Sequence, residues 1–230
     1  MDIAGSRFLV LGANGVIGSN ISKELQARGA YVLGTARSVE SSQYLAADLS
    51  ERLIVDVNDS VSIAALSNYI VSTQMPLDGV VNAAGVVGFG GVEETSNEMA
   101  TGLMQVNHFG PAELITGVLA ALKLAALNGK KPVVVGITGV VSERAFPGMS
   151  AYVASKTAHA AWLSTLALEF RRTPIRVLDA HPGHTETGLA GRAQFGTAPK
   201  FPHGLAPEHV AQRIVEAIVN DETELPSSSF

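Results

Sequence analysis

The sequence predicts one α/β domain spanning residues 1–230, a parallel sheet with helices on both faces. Short apolar runs alternate with longer helical patterns along the whole chain, as expected of successive β-α-β units. Some apolar runs, such as residues 133–135, contain no polar residue, and a strand of that kind needs cover on both faces. With 230 residues, 47 % of them hydrophobic, the chain can bury one large core but hardly two.

The individual elements follow from the apolar periodicity. We expect strands at 7–11, 31–35, 53–55, 78–81, 132–137 and 175–180, and helices at 16–28, 61–71, 98–127, 150–170 and 207–220. Gly29 follows the first helix, where a glycine commonly ends one. The segment 187–206 is rich in glycine and proline, and it is predicted to form a mobile lid on the substrate side.

Composition excludes several classes of function. The net charge is −5 and only 16 % of residues are charged, so we expect no nucleic-acid partner and no membrane partner. The absence of cysteine excludes disulfides, thiolate metal sites and cysteine nucleophiles. The six histidines lack metal-ligand spacing, and we predict no metal site. The first residues do not resemble a secretion signal, and the longest apolar runs are interrupted by lysines, so a cytoplasmic protein is expected.

A glycine-rich turn joins the first predicted strand to the first helix. Its residues are Gly12, Ala13, Asn14, Gly15, Val16, Ile17 and Gly18. Glycines there let the backbone turn tightly and approach a pyrophosphate, whose charge is stabilised by the helix N-terminus. The turn predicts a dinucleotide site in a doubly wound, Rossmann-like domain, although glycine turns between strands and helices are common in general.

The end of the second strand bears on the choice of nucleotide. An acidic residue at this point binds the ribose 2′-hydroxyl of NAD, whereas an arginine accommodates the 2′-phosphate of NADP. The chain has Arg37 and Ser38 here and no acid before Glu40. We therefore predict that NADP(H) is favoured over NAD(H); the alternative is an ordinary solvated arginine.

Tyr152 and Lys156 stand four residues apart on a predicted helix, and this spacing puts phenol and ammonium on one face. A cation about 4 Å away would lower the pKa of a phenol by about three units, toward the range useful for general acid–base catalysis. By itself such a pair is more commonly a surface tyrosine beside a solvated lysine. The small and apolar helix face around this pair favours a sheltered site.

Asn107 precedes Pro111 by four residues within a helical pattern. Proline has no N–H, so the carbonyl of residue 107 loses its partner and the helix should kink there. The freed carbonyl could hold a water that relays protons to Lys156. A kink without any chemical role is the alternative.

The motifs together resemble the short-chain dehydrogenase/reductase family in order and approximate spacing. They are Gly12, Gly15 and Gly18; Asp56 and Val57; Asn82, Ala83, Ala84 and Gly85; Asn107; Tyr152 and Lys156; and Pro182, Gly183 and Thr187. The resemblance covers nearly the whole chain and implies a nicotinamide cofactor. It implies that Asp56 and Val57 face adenine, that 82–85 line the cofactor, and that Pro182, Gly183, Thr185 and Thr187 border nicotinamide and pyrophosphate. Tyr152 would exchange the proton with substrate oxygen, Lys156 would hold the nicotinamide ribose, and Asn107 would take part in proton relay.

The sequence departs from this family at two places. Its glycine spacing is G-x-x-G-x-x-G, whereas most short members have G-x-x-x-G-x-G. Gly139 occupies the position of the serine that normally polarises the substrate carbonyl, thirteen residues before the tyrosine. Thr138 or Ser142 could substitute if the loop is shifted. Loss of one such donor typically costs a few kcal/mol of transition-state stabilisation.

These observations predict an NADPH-dependent oxidoreductase that interconverts an apolar ketone or aldehyde and its alcohol. The expected pocket walls are Val87, Phe89, Val140, Val141, Phe146, Met149, Leu189 and Phe195. The alternatives are an NADPH-binding sensor with little catalysis, which Gly139 would favour, and a cofactor-free relative such as a dehalogenase, against which Lys156 argues. The helices at 98–127 and 150–170 are apolar on more than one side, which predicts a homodimer or homotetramer. The C-terminal sequence with Pro226 should make a poor strand.

Overall fold

A computed structural model describes residues 1–230 and contains a seven-stranded sheet whose neighbouring strands are all parallel. The strands are β1 Arg7–Leu11, β2 Tyr31–Ala36, β3 Glu51–Ile54, β4 Gly79–Asn82, β5 Val133–Ile137, β6 Arg176–Ala180 and β7 Glu224–Leu225, in the order β3-β2-β1-β4-β5-β6-β7. The helices are α1 Val16–Ala27, α2 Val39–Ser42, α3 Ser60–Ser72, α4 Asn97–Met104, α5 Gly110–Gly117, α6 Leu119–Leu127, α7 Ser150–Phe170 and α8 Pro207–Val219. A doubly wound α/β domain is confirmed.

Helices cover both faces of the sheet because the central strands are apolar on both sides. In β1, Phe8 and Val10 join a core with residues of α1 and α8, whereas Leu9 and Leu11 join a second core with residues of α3, α5 and α7. All four side chains are at most 2 % exposed. The uninterrupted apolar runs of the sequence are thus explained by burial in two separate layers.

The long helix expected at 98–127 is divided into three. A π-helical turn, Gln105–Phe109, separates α4 from α5, and Pro111 lies in the first turn of α5. A second break falls at Val118, whose backbone (φ −100°, ψ 7°) leaves the helical region. The proline thus interrupts the helix as expected, but it does so through a π turn, and the break at Val118 was not predicted.

The prediction of a poor C-terminal strand needs a correction. Glu224 and Leu225 pair in parallel with Asp179 and Ala180 of β6, and Leu225 is fully buried. The strand ends directly before Pro226, so the proline limits its length without preventing pairing.

No single helix is both long and apolar enough to cross a membrane. One bent pair, Asn97–Gly117 with Leu119–Leu127 at 45°, reaches the required length and composition. Its residues Leu114, Ile115, Val118 and Leu122 belong to the core beneath the sheet.

The topology brings the chemically interesting loops together. The strand order reverses between β1 and β4, and ligands of open α/β sheets bind at the carboxyl ends of the strands near such a point. The glycine turn follows β1, residues 83–85 follow β4, Thr138 and Gly139 follow β5, and Pro182 lies just beyond β6.

Candidate active site

A cavity of about 580 Å³ opens at the carboxyl ends of the strands. Many of the predicted cofactor residues line it, namely Gly15, Val16, Ile17, Ala83, Ala84, Gly85, Tyr152, Lys156, Pro182, Gly183, Thr185 and Thr187. The others lie outside its lining, and they are Gly12, Asn14, Gly18, Arg37, Ser38, Asp56, Val57 and Asn82.

The glycine turn is fitted to close backbone contact. Gly12 has φ +74°, and a Cβ there would lie 3.0 Å from Cα of Ala84; a Cβ at Gly18 would collide with the carbonyl oxygen of Gly12. The first N–H groups of α1 have no partner within the helix, and no acidic side chain stands in its first turn. This end of α1 therefore offers free donors and a positive dipole to an anion.

The loop after β4 is held by a buried polar chain. The amide of Asn82 donates to Nε2 of His159 at 3.2 Å, and Ala84 N–H donates to Oδ1 of Asn82 at 3.3 Å. Burial lowers the pKa of His159 to about 3, so the imidazole is neutral and available as an acceptor. His159 was not predicted as part of the site, and only its position three residues after Lys156 pointed to it.

The residues expected to contact the adenosine part of the cofactor follow β2 and β3 in the chain. Arg37 is exposed and forms no hydrogen bond or ion pair, whereas the hydroxyl of Ser38 caps α2 by accepting from Ser41 N–H at 3.2 Å. Oδ1 of Asp56 accepts from the backbone and side-chain N–H groups of Asn58, both at 2.9 Å. The side chain of Val57 is buried in the core. Arg37 is thus the charged member of this group that makes neither a hydrogen bond nor an ion pair.

Asn107 and Lys156 converge beneath Gly85. A Cβ on Gly85 would lie 3.3 Å from Nζ of Lys156 and 3.4 Å from Oδ1 of Asn107. Asn107 accepts from Val86 N–H at 2.9 Å and donates to Val86 O at 3.0 Å and to Ser155 Oγ at 2.9 Å. Its side chain therefore ties the β4 loop to α7 across the π turn. Nζ of Lys156 donates to Ile137 O at 2.9 Å.

The expected lowering of the Tyr152 pKa does not occur in this structure. Tyr152 lines the cavity, and burial raises its pKa to about 12. Burial also lowers the pKa of Lys156 to about 8, although the charge of nearby Asp179 partly opposes this shift. The expectation counted the charge of the lysine and left out the cost of burying both groups, which here is the larger effect.

Comparison with known proteins decides the family. A sequence model described as short chain dehydrogenase matches residues 7–195. The chain belongs to the short-chain dehydrogenase family. Among its relatives is dehydrogenase/reductase SDR family member 7B of Xenopus tropicalis, 25 % identical over 94 % of this chain and 75 % of that protein.

Solved structures of the short-chain dehydrogenase family share the fold. A short-chain dehydrogenase from Streptomyces avermitilis is 27 % identical with a TM-score of 0.84, over 98 % of this chain and 90 % of the other. An alcohol dehydrogenase from Thermococcus sibiricus, complexed with 5-hydroxy-NADP, is 25 % identical with a TM-score of 0.80, over 98 % of this chain and 97 % of the other. Neighbours of this fold include complexes with NADP and complexes with NAD.

At the position of the usual serine in this family, Gly139 has φ +78° and ψ 166°. Neither proposed substitute directs a hydroxyl proton to the cavity. Thr138 is fully buried and donates to Oδ1 of Asp179 at 2.7 Å. Ser142 is absent from the cavity lining, and its Oγ lies 3.0 Å from Oγ1 of Thr138.

The short-chain dehydrogenase cavity has the expected apolar walls, with one exception. All the predicted residues line it except Phe195, which packs against Gly88. The segment 187–206 crosses the loop that follows β4: Gln194 N–H donates to Val87 O at 2.8 Å, and Phe89 N–H donates to Phe195 O at 3.0 Å. Leu189, Arg192 and Phe201 of this segment line the cavity, as expected of a lid, and its mobility stays a prediction.

Proposed function

We propose that this short-chain dehydrogenase is an NADPH-dependent carbonyl reductase, which in reverse oxidises the alcohol. The observation that carries the proposal is the convergence of the buried Asn107 and Lys156 under Gly85, beside the cavity that Gly85, Tyr152 and Lys156 line. When bound, the nicotinamide cofactor supplies the hydride. The residues present fit such a group, because free N–H groups at α1 and a closely packed glycine turn offer a cradle for its pyrophosphate.

Each residue then has a defined task. The phenol of Tyr152 donates its proton to the oxygen of the substrate carbonyl, and its high pKa keeps it protonated at neutral pH. The ammonium of Lys156, which donates to Ile137 O, would bind the nicotinamide ribose and stabilise the phenolate left after transfer. Asn107 fixes the β4 loop against α7, so that the cavity keeps its shape.

The preference for NADPH rests on Arg37. Its exposed guanidinium has no partner. Between the end of β2 and Glu40 there is no acidic residue that could bind a ribose 2′-hydroxyl. Ser38 uses its hydroxyl as the cap of α2, so it would contribute to a phosphate only after exchanging that bond.

The test is a turnover panel. We expect ketones and aldehydes to accelerate loss of NADPH absorbance well above the substrate-free rate, and NADH to be used less efficiently. A second candidate, an NADPH sensor, is favoured by the missing serine at Gly139. Tight cofactor binding in calorimetry without turnover of any carbonyl or alcohol in the panel would favour the sensor.

We further propose a cytoplasmic homo-oligomer, supported by the composition and by the apolar helices.

A further inference from the structure

The lysine and arginine side chains that line the cavity have no acidic counterpart in its lining. Its lining contains Arg144, Lys156 and Arg192, together with His184, and no aspartate or glutamate among 29 residues. The whole chain carries 21 acidic residues against 16 basic ones, so a cavity without any acid departs from the rest of the molecule. Lys156 belongs to the proton-transfer site, which leaves the two arginines without a role.

Arg144 is an exposed residue that lines the cavity beside the apolar wall residue Phe146. Its guanidinium carbon lies 5.1 Å from the ring centre of Phe146, a cation–π contact that orients the group along the wall. The neighbouring carboxylate, Glu143, accepts from N–H and Oγ of Ser227 and forms no ion pair with Arg144. Arg144 therefore makes no salt bridge, although Glu143 is its neighbour in the chain.

Arg192 reaches the same cavity from the lid segment. Its Nη2 donates to the carbonyl of Thr187 at 3.3 Å, and it also lacks a carboxylate partner. Two separate loops thus bring guanidinium groups without a carboxylate partner to a cavity whose walls include the apolar Val87, Phe89 and Met149. A planar guanidinium matches the paired oxygens of a carboxylate or phosphate, and it binds such groups with two parallel hydrogen bonds.

We propose that Arg144 and Arg192 bind an anionic end group of the substrate, so that the enzyme reduces carbonyl compounds with an apolar body and a terminal carboxylate or phosphate. This inference rests on the proposed reductase function and narrows its substrate class. The apolar walls would receive the body of the substrate, and Tyr152 the carbonyl oxygen.

The test compares matched probes that differ in charge. They are medium-chain keto acids with the oxo group at successive carbons, their methyl esters, and the phosphate monoesters of the corresponding keto alcohols. We expect at least one acid or phosphate to have a kcat/KM about tenfold or more above its neutral partner, since charge-assisted hydrogen bonds are worth that much. The advantage should shrink as salt is raised, whereas the esters should be insensitive to salt.

Arg144→Gln should remove most of this advantage through KM, and Arg144→Lys should keep part of it. Arg172→Gln is the matched control, because Arg172 is exposed and does not line the cavity. Binding of NADPH by each variant is measured separately. If Arg192→Gln weakens NADPH binding and leaves the acid-to-ester ratio intact, Arg192 serves the cofactor and its part of the proposal is wrong.

Equal use of acids, phosphates and esters by the unmodified enzyme, or an acid-to-ester ratio unchanged in Arg144→Gln, would overturn the inference while leaving the reductase function intact. If no probe is turned over, the proposed function fails instead. Calorimetry of the same acids and esters with the NADPH-bound protein then still tests the anion site. If the site exists, the acids bind more tightly than the esters, and this difference disappears in Arg144→Gln. The relative affinity of acids and phosphates tells which of the two groups is preferred.

Discussion

Oγ of Ser142 lies 2.8 Å from Nδ1 of His181. The same ring nitrogen lies 3.0 Å from Oγ1 of Thr138, and Thr138 in turn donates to Asp179. These side chains form a closed network, and Thr138, although it lines the cavity, uses its hydroxyl proton within that network. Gly139 thus replaces the usual serine, and the nearby hydroxyls of Thr138 and Ser142 form hydrogen bonds that stabilise the loop after β5.

Ser142→Ala is accordingly expected to change kcat/KM by less than about threefold. It should lower the free energy of unfolding by about 1–2 kcal/mol, since His181 loses a buried partner. Thr138→Val should destabilise the protein by a similar amount, because it leaves Asp179 without its donor. Steady-state kinetics and urea unfolding measure the two effects, with Ser60→Ala, an exposed serine without a side-chain hydrogen bond, as the control. A loss of turnover above about tenfold in Ser142→Ala at unchanged stability would show that this hydroxyl reaches the substrate after all.

Arg37→Asp should reverse the nucleotide preference. The substitution removes the cation available to a 2′-phosphate and introduces a carboxylate able to accept from a 2′-hydroxyl. Dissociation constants of NADPH and NADH, measured by calorimetry, give the ratio directly. Lys23→Asp, a charge reversal at an exposed residue of α1, should leave the ratio unchanged. Equal or tighter binding of NADH by the unmodified protein would refute the assignment of Arg37.

Lys156 should give the stability of the protein a distinctive pH dependence. Burial lowers its pKa from 10.5 to about 8, so between these values the unfolded chain binds a proton that the folded chain lacks. Stability therefore rises with pH across this window, by up to about 3 kcal/mol relative to Lys156→Met. Chemical denaturation of both proteins from pH 7 to 11 measures the difference. A constant difference over the whole range would mean that the ammonium is not displaced from its ordinary pKa.

The outer surface of α4, the π turn and α7 should form an interface between copies of this chain. Phe109 is 50 % exposed and Leu168 is 61 % exposed, and small residues surround Leu168 on α7. Light scattering at micromolar concentration is expected to show at least a dimer, and Phe109→Glu should convert it to monomer. Leu127→Glu, at an exposed leucine that ends α6, serves as the control. A monomeric unmodified protein would contradict the argument from the apolar helices.

The sequence predicted most of the sheet and the bounds of α7 because strong apolar periodicity persists through these elements. It missed the two-residue strand β7, whose pairing depends on the neighbouring edge of β6 and not on local propensity. The break at Val118 was also missed, since no proline stands there and the preceding Gly117 was not read as a helix end.

In the site, the residues that recur in motifs were found by their spacing. The hydrogen-bond network of Asp179 and His181 was not predicted, because Thr138 and Asp179 are 41 residues apart and only the sheet brings them together. A carboxylate that follows two apolar residues inside β6 was the available signal. The predicted direction of the shift in the Tyr152 pKa was also wrong, since the spacing in the sequence indicates a nearby charge but not burial.

The central claim is that Tyr152 donates the proton to the substrate carbonyl. The most direct test is the Tyr152→Phe variant, which removes only the hydroxyl. Its turnover of the best substrate is measured at saturating NADPH, together with its dissociation constant for NADPH. We predict a loss of turnover of at least about a hundredfold with cofactor affinity nearly unchanged. Near-normal turnover in Tyr152→Phe would contradict the mechanism.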